Sequence, residues 1–281
     1  MINVCAFDLD NTLYDLIDYY GPAFRGMVKA LARKTNLTPE QVRESARRVY
    51  LAKGFLEYPF IIREMDVFSK LNAHQIEGLE VLGQTVFNKV KKKRLKIYDE
   101  VDDVLASLHL GGVRVVAVSN APLYHAYKRL RQLRLAAYFD LIVACENLRI
   151  PEGVKIRANP EPWREDASIS VVSFPREEGK PSSYPFELVR KEFGDDVQYW
   201  SIGDNIERDL KPASKLGYKT IWARYGTVVD EENYRTVVNL TSGDVRKYET
   251  MTSEYGPDFC INKIKELLRI VPHVEQLDMF R

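Results

Sequence analysis

The sequence predicts an α/β fold: a three-layer, Rossmann-like core on a parallel sheet, with an inserted all-helical subdomain. Three observations lead there. Apolar runs such as Val4–Phe7 and Val113–Val118 are nearly continuous, as strands are when helices cover both faces of a sheet. From about Tyr98 onward, strand-like and helix-like segments alternate at the spacing of parallel crossover units. Residues 15–95, by contrast, carry helical periodicity with no clear period-2 strand.

Residues 3–8 read as the first strand. In the helical block, Val28, Leu31 and Ala32 form an apolar stripe. Thr38-Pro39-Glu40-Gln41 supplies an N-cap, a proline at the first helical position and a glutamine at the third, and opens a helix through Val42, Ala46 and Val49. Helical segments follow over Phe60–Leu71 and His74–Val90, with Phe55, Phe60 and Phe68 as core candidates.

The alternating pattern resumes with a helix over Val101–Leu110, stopped by Gly111-Gly112, and a strand over Val113–Val118. A helix over Leu123–Leu135 and a strand over Phe139–Ala144 come next. Further on, Phe186–Phe193 reads as helix, Val197–Ile202 as strand, Ile206–Leu216 as helix capped by Gly217, and Thr220–Ala223 as strand. A short strand at Phe259–Ile261 and a helix over Ile264–Ile270 close the pattern. Two stretches break it: residues 145–179, with Pro151, Pro160, Pro162, Pro175 and a strand at Ile169–Phe174, and the polar residues 228–256. The expected organisation is therefore a core of residues 1–14 plus 96–281, insertions at about 145–179 and 228–256, and a helical subdomain of residues 15–95.

With 41 basic and 40 acidic residues in 281, the balance gives no reason to expect a nucleic-acid partner. Lys91-Lys92-Lys93-Arg94 reads as a solvated helix end. No run of 18 apolar residues and no signal-like segment is visible, so no membrane partner is expected. Cys5, Cys145 and Cys260 have no metal-like spacing and read as buried free thiols, which suits a cytoplasmic protein. His74, His109, His125 and His273 are scattered and form no constellation.

Four polar clusters stand where strands stop: Asp8-Leu9-Asp10, Ser119-Asn120, Lys180-Pro181 at the close of the first insertion, and Gly203-Asp204-Asn205 with Asp209 beyond. In a parallel sheet the carboxyl ends of strands share one edge, the edge where such folds bind ligands. Asp8 and Asp204 offer hard oxygen ligands for Mg²⁺, Ser119 a hydroxyl and Lys180 a positive charge, a set suited to an anionic substrate. Each cluster alone also has a local reading: a turn for Asp8 and Asp10, an N-cap before Pro122 for Ser119, a surface lysine for Lys180 with Lys155 as the alternative, and charge balance with Arg208 or Lys211 for Asp209.

In this order the clusters resemble the four motifs of the haloacid dehalogenase-like superfamily, and Asp8-Leu9-Asp10-Asn11-Thr12 is similar to the first motif of its phosphatases. The resemblance implies that Asp8 is a nucleophile forming an aspartyl-phosphate, and that Asp10 is the acid and base and also gives a backbone carbonyl to the metal. It implies Asp204 as a Mg²⁺ ligand with Asp8, and Ser119, Asn120, Lys180 and Thr12 as phosphate-side residues, Thr12 also bracing its loop. Asp209 and Asn205 would be supporting groups. Dehalogenases of the family lack the second aspartate, so Asp10 favours phosphate chemistry. The implied activity is a Mg²⁺-dependent phosphatase for a small metabolite of the sugar phosphate, phosphoglycolate or nucleotide monophosphate type. A phosphomutase and a non-catalytic module keeping the fold are the alternatives. Residues 15–95 match the family's helical cap, with Tyr14, Tyr19, Tyr20, Tyr58 and Arg63 as substrate-contact candidates. The insertion at 145–179, carrying Arg149, Lys155, Arg157, Arg164 and Arg176, is left as a substrate-contact, homodimer or partner surface.

Overall fold

A computed structural model describes residues 2–54, 56, 58–150, 159, 161–165, 169–241 and 255–273. Phe55, Lys155 and Arg157 lie outside the described residues. The chain begins β1 (Ile2–Phe7), α1 (Leu16–Thr35), α2 (Pro39–Lys53), α3 (Ile61–Glu64) and α4 (Ala73–Arg94). It continues α5 (Val101–Leu110), β2 (Arg114–Pro122), α6 (Leu123–Gln132), β3 (Leu141–Cys145), β4 (Ser170–Phe174) and α7 (Tyr184–Phe193). Then come β5 (Val197–Gly203), α8 (Lys211–Ser214), β6 (Lys219–Ala223), α9 (Glu231–Thr241) and β7 (Phe259–Ile261).

The seven strands form one parallel sheet in the order β4-β3-β2-β1-β5-β6-β7. The chain moves outward from β1 through β2, β3 and β4, then returns to the other side of β1 with β5. That reversal makes the carboxyl end of β1 a topological switch point, where a crevice opens between diverging connections. Val4, Cys5 and Phe7 of β1 have no exposed surface, which is why this strand reads as an unbroken apolar run. Val4, Val116, Val143, Phe174, Phe186 and Tyr218 belong to one buried cluster of this unit. Cys5 and Cys145 are buried as expected, but Cys260 is exposed, because β7 is the sheet's edge strand.

Contacts divide the chain into two compact units: Met1–Tyr14 with Ile97–Val228 and Thr252–Arg281, and Asp15–Lys96 with Val229–Met251. The second unit is helical. In α2 the expected capping box is present, with Gln41 N donating to Thr38 Oγ1 at 3.2 Å and Thr38 N to Gln41 Oε1 at 2.9 Å. The helix expected over Phe60–Leu71 is broken into α3 and a 3₁₀ turn at Asp66–Phe68. Asp66 draws the backbone out of the helix: its carboxylate accepts from Val67 N at 3.1 Å and from Arg48 at 2.8 Å, and it also bonds Ser45.

Two other expectations are corrected. Residues 228–256 do not all belong to the core, because α9 packs on the helical unit. Tyr234, Val237 and Leu240 form its buried stripe. Arg25 donates to Thr236 Oγ1 at 2.9 Å and Asn233 Oδ1 at 2.7 Å, and Arg47 to Asn239 O at 2.8 Å. The helix expected over Ile206–Leu216 is instead a π-helical turn, Ile206–Leu210, followed by α8. Pro212 has no N–H to offer the carbonyl one turn back, so one α-helical bond is missing where the π-helical turn passes into α8. Residues 264–269 likewise form a 3₁₀ turn.

After β6, the Arg224–Thr227 turn meets the loop that follows β1. A Cβ at Gly226 would lie 1.8 Å from Asn11 O, a backbone atom. Gly226→Ala should therefore force the two loops apart and cost about 2 kcal/mol, the usual scale of overpacking. Urea denaturation followed by tryptophan fluorescence reads this, and an unchanged midpoint would mean that the loops yield freely.

Candidate active site

The loop Asp8–Tyr14 carries the site's first carboxylates. Asp8 N donates to Ile202 O at 2.8 Å, which extends the β1–β5 ladder by one residue and aims the Asp8 side chain off the strand end. The loop then tightens, with Leu13 N bonding Leu9 O at 3.0 Å and Asn11 N bonding Tyr14 O at 2.8 Å. Asn11 takes a left-handed backbone, φ 61°, a conformation asparagine tolerates better than most residues.

Lys180 is the node of the site. Its Nζ donates to Asp8 Oδ1 at 2.5 Å, Asp209 Oδ1 at 2.7 Å and Val118 O at 2.9 Å, which uses all three ammonium protons. Asn120 holds the lysine's backbone: Lys180 N donates to Asn120 Oδ1 at 2.8 Å, and Asn120 Nδ2 donates to Lys180 O at 2.7 Å. Gly179 leaves room for this clamp, since a Cβ there would lie 3.0 Å from Asn120 Oδ1.

Asp209 is placed by the π-helical turn and by Gly203, where a Cβ would come within 2.5 Å of the Asp209 side chain. Its Oδ2 accepts from Asn205 N at 3.0 Å, and Ser201 Oγ donates to its carbonyl at 2.9 Å. Asn205 supports the site through that backbone contact, while its side chain caps the turn by accepting from Arg208 N at 3.1 Å. Lys211 pairs with Glu207 at 2.9 Å. Asp209 therefore serves Lys180, not surface charge balance.

Thr12 joins the two strand ends. Its hydroxyl donates to Asp8 Oδ2 at 3.3 Å and accepts from Asp204 N at 3.1 Å, and its carbonyl accepts from Tyr225 at 2.7 Å. The side chain is fully buried and braces the loop through these bonds. Trp222 Nε1 fixes the Asp204 carbonyl at 2.9 Å. Ser119 lies on β2 one residue beyond Val118. It does not cap α6: its Oγ accepts from Ala121 N at 3.1 Å while the strand runs on to Pro122.

Asp8, Asp204 and Asp209 each place a carboxylate oxygen within 4.8 Å of the others. Three buried carboxylates thus face one ammonium. Burial pushes the Asp8 carboxyl up; Lys180 pulls it back, Asp209 and Asp10 push again, and the result lies above the ordinary aspartate range. Asp204 is raised as well, by burial and then by Asp209 and Asp8. For Lys180, burial lowers the ammonium's pKa, but Asp209 and Asp8 outweigh it and the net direction is upward. This donor set, all oxygen and two positive charges short, fits a hard divalent cation. Asp8 is also the member that solvent reaches: its side chain keeps 11% of its surface, against 2% for Lys180 and 4% for Asp209.

Asp10 has a separate surrounding. Tyr14 donates its phenol to Asp10 Oδ1 at 2.7 Å, and Arg129 Nη1 lies 3.2 Å from the same oxygen. Arg129 also sits over the Tyr14 ring, 5.5 Å from its centroid. The sequence reading passed over Arg129, though a signal was there: it comes three residues after Ala126, on the buried stripe of α6. Tyr225 and Trp222 carried no comparable signal.

The substrate-contact candidates all have partners of their own. Tyr14 belongs to Asp10. Tyr19 is fully buried, and Tyr20 bonds Tyr50 at 2.9 Å within the helical unit. Tyr58 bonds Glu64, and Arg63 pairs with Glu80 at 2.8 Å. Each is held by its own unit's packing. In the first insertion, Arg164 pairs with Glu161, while Arg149 and Arg176 line a cavity of about 200 Å³ with Asn120 and Cys145.

Residues 2–217 match the family described as haloacid dehalogenase-like hydrolase. The chain is 22% identical over 283 residues to the glyceraldehyde 3-phosphate phosphatase of Methanocaldococcus jannaschii, covering 98% of this chain and 100% of that protein. It is 24% identical to the protein of the same name from Methanopyrus kandleri, covering 96% and 97%. Among solved structures, it resembles the 2-haloacid dehalogenase from Pseudomonas syringae pv. Tomato DC3000, with a TM-score of 0.56, 19% identity, and 96% and 98% of the two chains covered. At that identity the likeness is one of fold. With a match over more than three quarters of its length, the chain belongs to the haloacid dehalogenase-like hydrolases and is an enzyme of that family.

Proposed function

We propose that this hydrolase is a Mg²⁺-dependent phosphatase that cleaves a small phosphorylated metabolite through an aspartyl-phosphate on Asp8. The observation that carries the reading is the pairing of two differently dressed carboxylates on one loop. Asp8 lies against the Lys180 ammonium and is the solvent-reached member of the acidic trio. Asp10 is held apart by Tyr14 and Arg129. A nucleophile and a proton carrier need such different surroundings.

In this reading Asp8 attacks phosphorus as the ester oxygen departs, and Asp10 gives that oxygen a proton. Asp10 then takes a proton from the water that hydrolyses the acyl phosphate, which regenerates Asp8. Lys180 balances charge on Asp8 and on the transferring group, and Asp209 keeps it aimed. Ser119 and the Asn120 backbone N–H lie at the neighbouring strand end to receive phosphate oxygens. Asp8, Asp204 and the Asp10 carbonyl would hold Mg²⁺. The bound ion would neutralise the surplus carboxylates and polarise a phosphate oxygen. Glyceraldehyde 3-phosphate is the first substrate to test, because both phosphatases of that name align with the chain nearly end to end.

The direct test is phosphate release from glyceraldehyde 3-phosphate, a metabolite phosphate panel and a generic aryl phosphate. Turnover should require Mg²⁺ and vanish with chelator; no turnover on any of them sinks the reading. Asp8→Asn should lose about 10³-fold or more of kcat, as expected when a covalent nucleophile is removed. Residual activity near wild type would remove Asp8 as nucleophile. Mg²⁺ should also raise the thermal midpoint of the wild type, since a ligand that binds only the folded state stabilises it. In Asp204→Asn that rise should be much smaller, and an equal rise in both would exclude Asp204 as a ligand.

A further inference from the structure

Arg129 is a charged side chain with 1% of its surface exposed, on a helix that otherwise buries Leu123, Ala126, Tyr127 and Leu130. Placing a guanidinium there is costly unless something specific compensates it. The Asp10 carboxylate at 3.2 Å and the face of the Tyr14 ring are among its contacts. Tyr14 is itself fully buried, and its phenol donates to the same Asp10 oxygen. Its backbone is pinned on both sides, by the bond from Asn11 N and by bridges to Asp10 and Ile97. The Asp10 carboxyl is thus met at Oδ1 by a hydrogen bond from Tyr14 and an ion pair with Arg129, and both side chains are locked in the core.

Resting on the phosphatase reading above, we propose that Arg129 is a positioning residue that, with Tyr14, holds Asp10 Oδ1 so that Oδ2 carries the proton to the leaving oxygen. Oδ1 can accept from both donors whether Asp10 is a carboxylate or a neutral acid. The grip therefore survives each proton transfer, and only Oδ2 changes state. In the first step the Asp8–phosphorus bond forms, the phosphorus–ester oxygen bond breaks, and the proton on Oδ2 passes to that oxygen. In the second step the bond from the water oxygen to phosphorus forms, the phosphorus–Asp8 bond breaks, and Oδ2 takes the water's proton. Without the grip the carboxyl rotates, and the proton is on average misplaced.

The test uses two aryl esters of nearly the same shape. Phenyl phosphate releases a strongly basic oxygen that needs the proton; dinitrophenyl phosphate releases a weakly basic one that does not. The quantity read is kcat/KM, which ends at the first irreversible step and so isolates ester cleavage. Arg129→Met should lower kcat/KM about 100-fold on phenyl phosphate, the lower range for lost general-acid catalysis, and only about 3-fold or less on dinitrophenyl phosphate. Tyr14→Phe should show the same selectivity at about 10-fold on phenyl phosphate, and Arg129→Lys should recover part of the loss. In an Asp10→Asn background, Arg129→Met should cause no further selective loss. Equal losses on the two esters would overturn the proposal and leave Arg129 a packing residue. Should Arg129→Met fail to fold, Tyr14→Phe and Arg129→Lys decide by the same comparison. The two levels stay separable. A wild type that cleaves neither ester with Mg²⁺ overturns the phosphatase reading and this proposal with it. Selective loss in Asp10→Asn without selective loss in Arg129→Met overturns this proposal alone.

Discussion

The site is organised around a buried ammonium that has to be paid for. Lys180 Nζ lies between Asp8 and Asp209 and reaches the Val118 carbonyl, so it ties together the ends of β1 and β2, the turn after β5 and the loop before α7. These segments are far apart in sequence, and removing either carboxylate would leave a buried charge short of a partner. Breaking one half of such a pair typically costs several kcal/mol. The same lysine cannot satisfy all the negative charge around it. Asp204 brings a third carboxylate to within 4.8 Å, and burial with mutual repulsion raises the carboxyls of both Asp8 and Asp204. The protein holds a surplus of negative charge at the sheet edge that a divalent cation would resolve.

Much of the frame that holds this node depends on backbone geometry. Thr12 spans from the Asp8 carboxylate to the Asp204 amide, so the β1 and β5 ends move as one piece. Asn120 grips Lys180 by both its amide and its carbonyl, which makes the second cluster a support for the third. Gly179, Gly203 and Gly226 stand where a methyl group would strike Asn120, Asp209 and Asn11 respectively. Close approach, more than turn formation, accounts for these three glycines.

What was legible in the sequence followed from periodicity and from strand ends. Apolar runs located β1, β2, β3 and β5, and parallel topology alone implies that Asp8, Ser119 and Asp204 share an edge. The capping box of α2 was legible because its bonds are local. What escaped depended on contacts distant in sequence or on competing local bonds. Nothing near Glu231–Thr241 indicates that α9 packs on α1 and α2, since the deciding bonds run from Arg25 and Arg47. The change from a π-helical turn to α8 at Lys211 falls beside Pro212, which lacks the N–H of a regular helical bond. Arg129 could have been noticed as a charge on an apolar stripe, but its partner lies more than a hundred residues earlier in the chain.

Fold alone does not choose the chemistry. A dehalogenase shares the architecture across nearly the whole chain, and at a sheet edge of this kind Asp8 would serve equally well as the nucleophile in either reaction. The departing group differs: halide leaves without a proton, whereas an alkoxide needs one. A dehalogenating site would therefore have no use for a second carboxylate held by a buried guanidinium and a buried phenol. Here both donors are present and both meet Oδ1 of Asp10. A site that had lost turnover would gain nothing from retaining a buried arginine beside the nucleophile loop, where an apolar residue of similar volume would pack at least as well. The discriminating information thus lies less in the nucleophile than in the apparatus around the residue two positions after it.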